Sequence, residues 1–187
     1  MEHLLRTSDL LTRLVTTAGK GAAWLMLALM LVIVIDVTLR GWFPVGSTRL
    51  QELQWHLHGT LFLLTIGWAY SRDAHVRIEL FHGHFSARTK AWMELAGCLL
   101  FLLPYVGAIL YFGYDYAMIS FSYNETSASP SGLPARWVIK SIMLFGFALL
   151  GLAGLAKLLR AIVYLAGGPQ LVASIDDFRH PPESPKS

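Results

Sequence analysis

The sequence predicts an all-α integral membrane protein of four transmembrane helices, with a short N-terminal interfacial helix and both termini cytoplasmic. Three observations predict it. Hydrophobic residues make up 55% of the 187 positions and charged residues only 14%, against roughly 25% charged in soluble domains. Mean hydropathy is +0.51. The apolar residues fall into four blocks, about 21–43, 50–71, 91–122 and 136–165, with most charges gathered between them. These blocks define a membrane domain over 21–165, preceded by a segment 1–20 and followed by a tail 166–187.

Segment 1–20 carries Arg6, Arg13 and Lys20. Ser8 is placed to cap a short helix whose Leu10, Leu11, Leu14 and Val15 share one side. Such a helix suits the membrane surface, and a loosely ordered basic tail is the alternative reading. The apolar run that follows is too long for a signal-peptide core and is closed by no small-residue cleavage site. In the first span the only ionisable residues are Asp36 and Arg40, one helical turn apart with the acid first, the favourable order for an ion pair. A lone charge at bilayer centre costs about 2.5–3.5 kcal/mol on insertion scales, so Asp36 is expected to be paired. Arg40 is the nearest partner, and an ion- or proton-binding role for Asp36 is the alternative.

The second span begins near Leu50 after a turn containing Pro44 and Gly46. From Leu53 to Ser71, 19 residues pass without a formal charge, about 28 Å of helix against a hydrocarbon core of about 30 Å. Glu52, His56 and Gly59 fall on one face, Gln54 and His58 on the other. Both histidines cannot aim at one ion from a single helix, and no paired-cysteine or H-E-x-x-H spacing occurs. No metal or cofactor is therefore expected, and Glu52 and His56 are expected to face protein. Arg72, His75, Arg77 and Glu79 then mark the exit into a central loop. Over 76–88 this loop is either extended or a surface helix.

In the third span Leu95 to Tyr114 is charge-free, with Glu94 at one end and Asp115 at the other. Pro104 is expected to interrupt its helix. Tyr111, Tyr114, Tyr116, Phe121 and Tyr123 form either an interfacial aromatic belt or a stripe for a partner protein. The fourth span lies between Lys140 and Lys157, which can snorkel, and Ala148, Gly151 and Gly154 step along one face for close helix approach. The proline-rich tail is expected to lack fixed structure. The single cysteine, Cys98, permits no intrachain disulfide.

Four spans place the termini and the central loop on one side, with 11 of the 15 Lys and Arg residues. That excess orients this side to the cytoplasm. Asp36, Glu52 and Asp115 then lie near the outer helix ends, with Arg40, Arg49, Arg136 and Lys140 available as counter-charges. The basic residues are dispersed between apolar blocks, which excludes a nucleic-acid footprint. No nucleophile–base constellation is visible, so no enzyme is expected.

Glu52 to Phe81, with its glutamate at the helix start and its exit RDAHVRIEL, resembles the DctQ-like small membrane subunit of tripartite ATP-independent periplasmic (TRAP) transporters. His75, Val76 and Arg77 match that family's His-Val-Arg-Val-Asp type of exit, while Ile78 and Glu79 are conservative departures. The GLPARWVIK run resembles its Pro-containing approach to the last helix. The resemblance implies a bacterial inner-membrane protein that braces the scaffold of a large multi-span subunit. That assembly takes up an organic acid on an ion gradient, with a periplasmic substrate-binding protein docking transiently. It implies no cofactor. The residues expected to serve structure or the subunit interface are Asp36, Arg40, Glu52, His56, Arg72, His75, Arg77, Glu79, Asp115, Gly151 and Gly154. Two rival readings stand beside it: a haem-binding membrane anchor of an oxidoreductase, and a small homo-oligomeric exporter using Asp36.

Overall fold

The computed structural model describes residues 1–42, 47–72 and 86–167. The expectations for the turn at Pro44 and Gly46, for 76–85 of the central loop and for the tail beyond 167 lie outside the described residues. Helix α1 spans Glu2–Ala23 and α2 spans Leu25–Trp42. They meet at Trp24, whose backbone stays right-handed helical (φ −64°, ψ −22°), so the two run on as one segment of 41 residues. Helix α3 (Thr48–Ser71) starts where the Ser47 hydroxyl accepts the Leu50 N–H, 3.4 Å away. Helix α4 (Ala87–Gly97) starts likewise, Ser86 accepting from Thr89 at 3.2 Å. Each serine satisfies one orphan donor of a first turn.

The interruption expected at Pro104 is a π-helical turn over Cys98–Leu102, followed by α5 (Leu103–Ser122). Proline brings no N–H and its ring crowds the carbonyl four residues back. The Leu103 N–H reaches five back, to the Cys98 carbonyl, and the widened turn absorbs the fault. Helix α6 (Trp137–Gly167) closes the chain's described part.

The centre is a parallel pair, α3 and α6, joined backbone to backbone. A Cβ added at Gly67 would lie 2.9 Å from the Leu149 carbonyl oxygen, and one at Gly146 would lie 2.6 Å from that of Leu63. Around this seam, Val15 of α1 packs with Leu149 and Ala153 of α6, joined by Leu64 and Trp68 of α3. Gly113 admits Leu144, and Gly151 and Gly154 admit Val106 and Leu102, seating the π turn and α5 on α6.

Two expectations are corrected. Among the described residues three helical segments, not four, are long and apolar enough to cross a membrane: Glu2–Trp42, Ala87–Ser122 and Trp137–Gly167. Helix α3 is not among them, because Gln51, Glu52, Gln54, His56 and His58 dilute the hydropathy of its first half. Of these Glu52 is buried, Gln51, Gln54 and His56 are half-buried and His58 is exposed. The helix expected in the N-terminal segment is present as α1, 22 residues long, and it packs antiparallel on α6. Ser8 is no cap, since the helix begins at Glu2; with Val15, Gly19 and Ala22 it forms the buried stripe, while Leu10 and Leu14 are exposed.

Candidate functional site

Polar side chains gather at two levels of the bundle. At the first, Glu52 is 7% exposed and grips the segment between α5 and α6. One carboxylate oxygen accepts from the Ser127 hydroxyl and the other from the Leu133 N–H at 2.6 Å. The segment is folded to meet it. The Ser127 N–H donates to the Leu133 carbonyl at 3.1 Å, and the Arg136 N–H to the Glu125 carbonyl at 2.9 Å. Its two ends turn at Asn124 (φ 45°) and Ala135 (φ 59°), both left-handed. Asparagine tolerates that region, whereas alanine is strained in it and is held there by its surroundings. Gly132 lies so close that a Cβ would stand 2.8 Å from the Glu52 carboxylate.

Beside this clip Lys140 pairs with Glu125 and lies 3.7 Å over the Tyr116 ring. The Lys140 ammonium holds the Glu125 carboxyl below its ordinary value of 4.5. Asp36, 4% exposed, accepts from Arg40 at 2.8 Å and from Gln54 of α3 at 3.0 Å through the same oxygen. Its other oxygen is buried without a hydrogen bond. His56 Nδ1 lies 2.6 Å from the Glu52 carbonyl and carries the proton in that contact.

At the second level the Tyr70 hydroxyl donates to Glu94 at 2.7 Å and lies 3.1 Å from Cys98 Sγ. Lys157 does not snorkel. It is 6% exposed and its ammonium sits 4.9 Å over the Tyr70 ring. Tyr70, Glu94 and Cys98 line a groove of about 520 Å³ together with Phe101, Leu102 and Tyr105. Nearby, Ser8 donates to the Ala156 carbonyl at 2.9 Å and accepts from Arg160 at 3.0 Å, and Arg160 pairs with Asp9 at 3.1 Å.

The structure thus brings Asp36, Arg40, Glu52 and His56 to one level of α2 and α3. Glu52 takes neutral donors and not one of the four expected bases. Lys140 goes to Glu125. Asp115 is exposed, with no hydrogen bond or ion pair among the described residues. Gly151 and Gly154 are used within the chain. Arg72 is exposed at the end of α3, its N–H bonded to the Trp68 and Ala69 carbonyls at 3.1 and 3.3 Å. His75, Arg77 and Glu79 lie outside the described residues. Sequence reasoning missed Ser127, Glu125 and the Lys157–Tyr70 contact. Only the turn composition of 124–134 hinted at the first. Among the described residues no three His, Cys, Asp or Glu side chains stand together as a metal site. The chemistry on view is that of helix attachment: buried carboxylates and cations placed against donors, acceptors and rings of the same chain.

A comparison with curated proteins finds no match for this chain. A comparison with protein families matches residues 29–163 to the family described as tripartite ATP-independent periplasmic transporters, DctQ component. The match takes in most of α2, all of α3 to α5 and most of α6, with Asp36, Glu52, the 124–134 segment and Lys157 inside it. The chain belongs to the DctQ family, the small component of TRAP transporters.

Proposed function

We propose that the chain is a small permease subunit that braces the scaffold of a large membrane subunit. The assembly carries out sodium-gradient-driven uptake of an organic acid delivered by a periplasmic binding protein. The observation that carries this reading, beyond family membership, is the use of the buried ionisable groups. Asp36, Glu52 and Lys157 each engage partners in their own chain. A transport site would instead hold such groups at broken helices around a midplane cavity. Groups spent on helix-to-helix and helix-to-loop contacts make a stiff block, which is what a brace requires.

In this reading α3 makes a fourth crossing of the inner membrane. Protein buries Glu52 and covers Gln51, Gln54 and His56 in part, which lowers the cost of its low hydropathy. Both termini are cytoplasmic, on the side with 11 of the 15 basic residues. The first level of polar contacts is then periplasmic, and the segment 124–134 faces the side from which a binding protein arrives.

The test is reconstitution. Liposomes holding the large subunit and this chain take up substrate with the binding protein and a sodium gradient; either subunit alone does not. Transport by this chain alone would overturn the reading and favour the exporter.

A further inference from the structure

Glu94, Gly97, Cys98, Phe101 and Tyr105 run as one stripe down α4, the π turn and α5, and with Tyr70 of α3 they line the groove of about 520 Å³. At Gly97 a Cβ would meet nothing within 4 Å, so the helix backbone itself lies open there. The Tyr105 ring meets Phe147 of α6 edge-on, with centroids 6.0 Å apart. The groove has the polarity of one bilayer leaflet. Glu94 stands just ahead of the charge-free run Leu95–Tyr114, so it marks the edge of the hydrocarbon. From Met93 to Tyr105 the helix rises about 18 Å, against about 15 Å for half of a hydrocarbon core. The polar groups Tyr70, Glu94 and Cys98 meet toward the Glu94 end, and Phe101, Leu102 and Tyr105 line the remainder. A crossing helix of a neighbouring protein would need a slot about twice as long.

Beyond the Glu94 end the charge is positive. Lys90 precedes Met93 and Glu94 by three and four residues, so it lies on the same side of α4, one turn further from the hydrocarbon. Arg88 and Arg72 stand at the start of α4 and the end of α3. Among the described residues, Lys90, Arg88 and Arg72 have no ion-pair partner. The first-turn N–H groups of α4 add partial positive charge. Glu94 does not cancel it. Its carboxylate accepts from the Tyr70 hydroxyl at 2.7 Å, and the buried Lys157 ammonium sits 4.9 Å over the Tyr70 ring. An apolar slot one leaflet long that ends in unpaired cations complements a lipid with an uncompensated phosphate, the headgroup that basic pockets between membrane helices select. A choline or ethanolamine headgroup brings its own cation and gains less.

We propose that the groove is a binding site for a phospholipid of net negative charge, with one acyl chain along Cys98 to Tyr105 and the phosphate at Lys90, at the start of α4. The site goes beyond the transport reading and needs only that the chain spans a membrane.

The test uses the full chain in mild detergent and native mass spectrometry, with phosphatidylglycerol and phosphatidylcholine of matched acyl chains as probes. The parent should retain phosphatidylglycerol at least about fivefold better than phosphatidylcholine. Lys90→Glu should lower phosphatidylglycerol retention at least about fivefold and leave phosphatidylcholine unchanged. Gly97→Phe, which puts a ring into open space, should lower retention of both. In the native membrane, a photocrosslinking residue at Phe101 should give phospholipid adducts. Equal retention of the two lipids by the parent would overturn the proposal, as would parental retention of phosphatidylglycerol by either variant. So would adducts at Phe101 that are a segment of another protein or of a second copy of this chain. Reconstituted transport is a separate readout, so the proposed function stands or falls apart from this site.

Discussion

Glu52 holds a loop through two neutral donors that come from 75 and 81 residues further along the chain. Removing the carboxylate leaves the half-buried Leu133 N–H without its acceptor, which costs about 1–3 kcal/mol. Glu52→Ala should therefore lower the unfolding temperature of the purified chain in detergent by several degrees. Glu52→Gln, which keeps an acceptor oxygen, should lose less. Glu125 supplies a pH dependence. Its carboxyl lies below 4.5 because of Lys140, so the folded loop is favoured above that value and loses the contribution as pH falls through the folded pKa. Amide exchange over 124–134, corrected for intrinsic rates, should accelerate below pH 4.5 in the parent. In Glu125→Gln the acceleration should be smaller but not absent, because the Glu52 carboxylate grips the same segment. The Asp36–Arg40 pair could be read from the sequence because a helix turn sets its spacing. The Gln54 and Ser127 partners could not, since they arrive from other elements.

Between elements the decisive contacts are glycines against carbonyls. Membrane helices gain no hydrophobic drive from one another, so close packing carries their association. Gly67→Ala would push a methyl into the Leu149 carbonyl and should cost about 1–3 kcal/mol. Gly21→Ala, where a Cβ meets nothing within 4 Å, should be neutral or stabilise by about 0.5–1 kcal/mol. Thermal unfolding of the two variants side by side checks both. The stepped Gly151 and Gly154 were legible as a packing face; their partners, Val106 of α5 and Leu102 of the π turn, were not. Gly67 and Gly146 were not legible at all, because a lone glycine carries no periodic signal. The apolar blocks gave the positions of the helices well. They ranked α3 with the others, although its polar first half keeps it out of the three segments long and apolar enough to cross a membrane.

At the scale of the whole molecule, α1 is attached to the far end of the bundle by a compact set of bonds. Ser8→Ala with Arg160→Ala should free the N-terminal turns without dissolving the seam of α3 and α6. Limited proteolysis should then cut within residues 1–10 while the remainder stays intact. Composition revealed the membrane class and the number of apolar blocks. It did not reveal that the first and last helices lie together, since nothing local in either one encodes the other.

The bond from Ser8 to Ala156 bridges 148 positions, nearly the full length of the polypeptide. Helix α1 leaves the ribosome before α6, on which part of its seat is built. At about 5–20 residues per second, many seconds pass in which α1 has only α3 to lean on. A helix made early is thus seated in part by one made late, and any pause or early stop before α6 leaves α1 with only the α3 side of its seat.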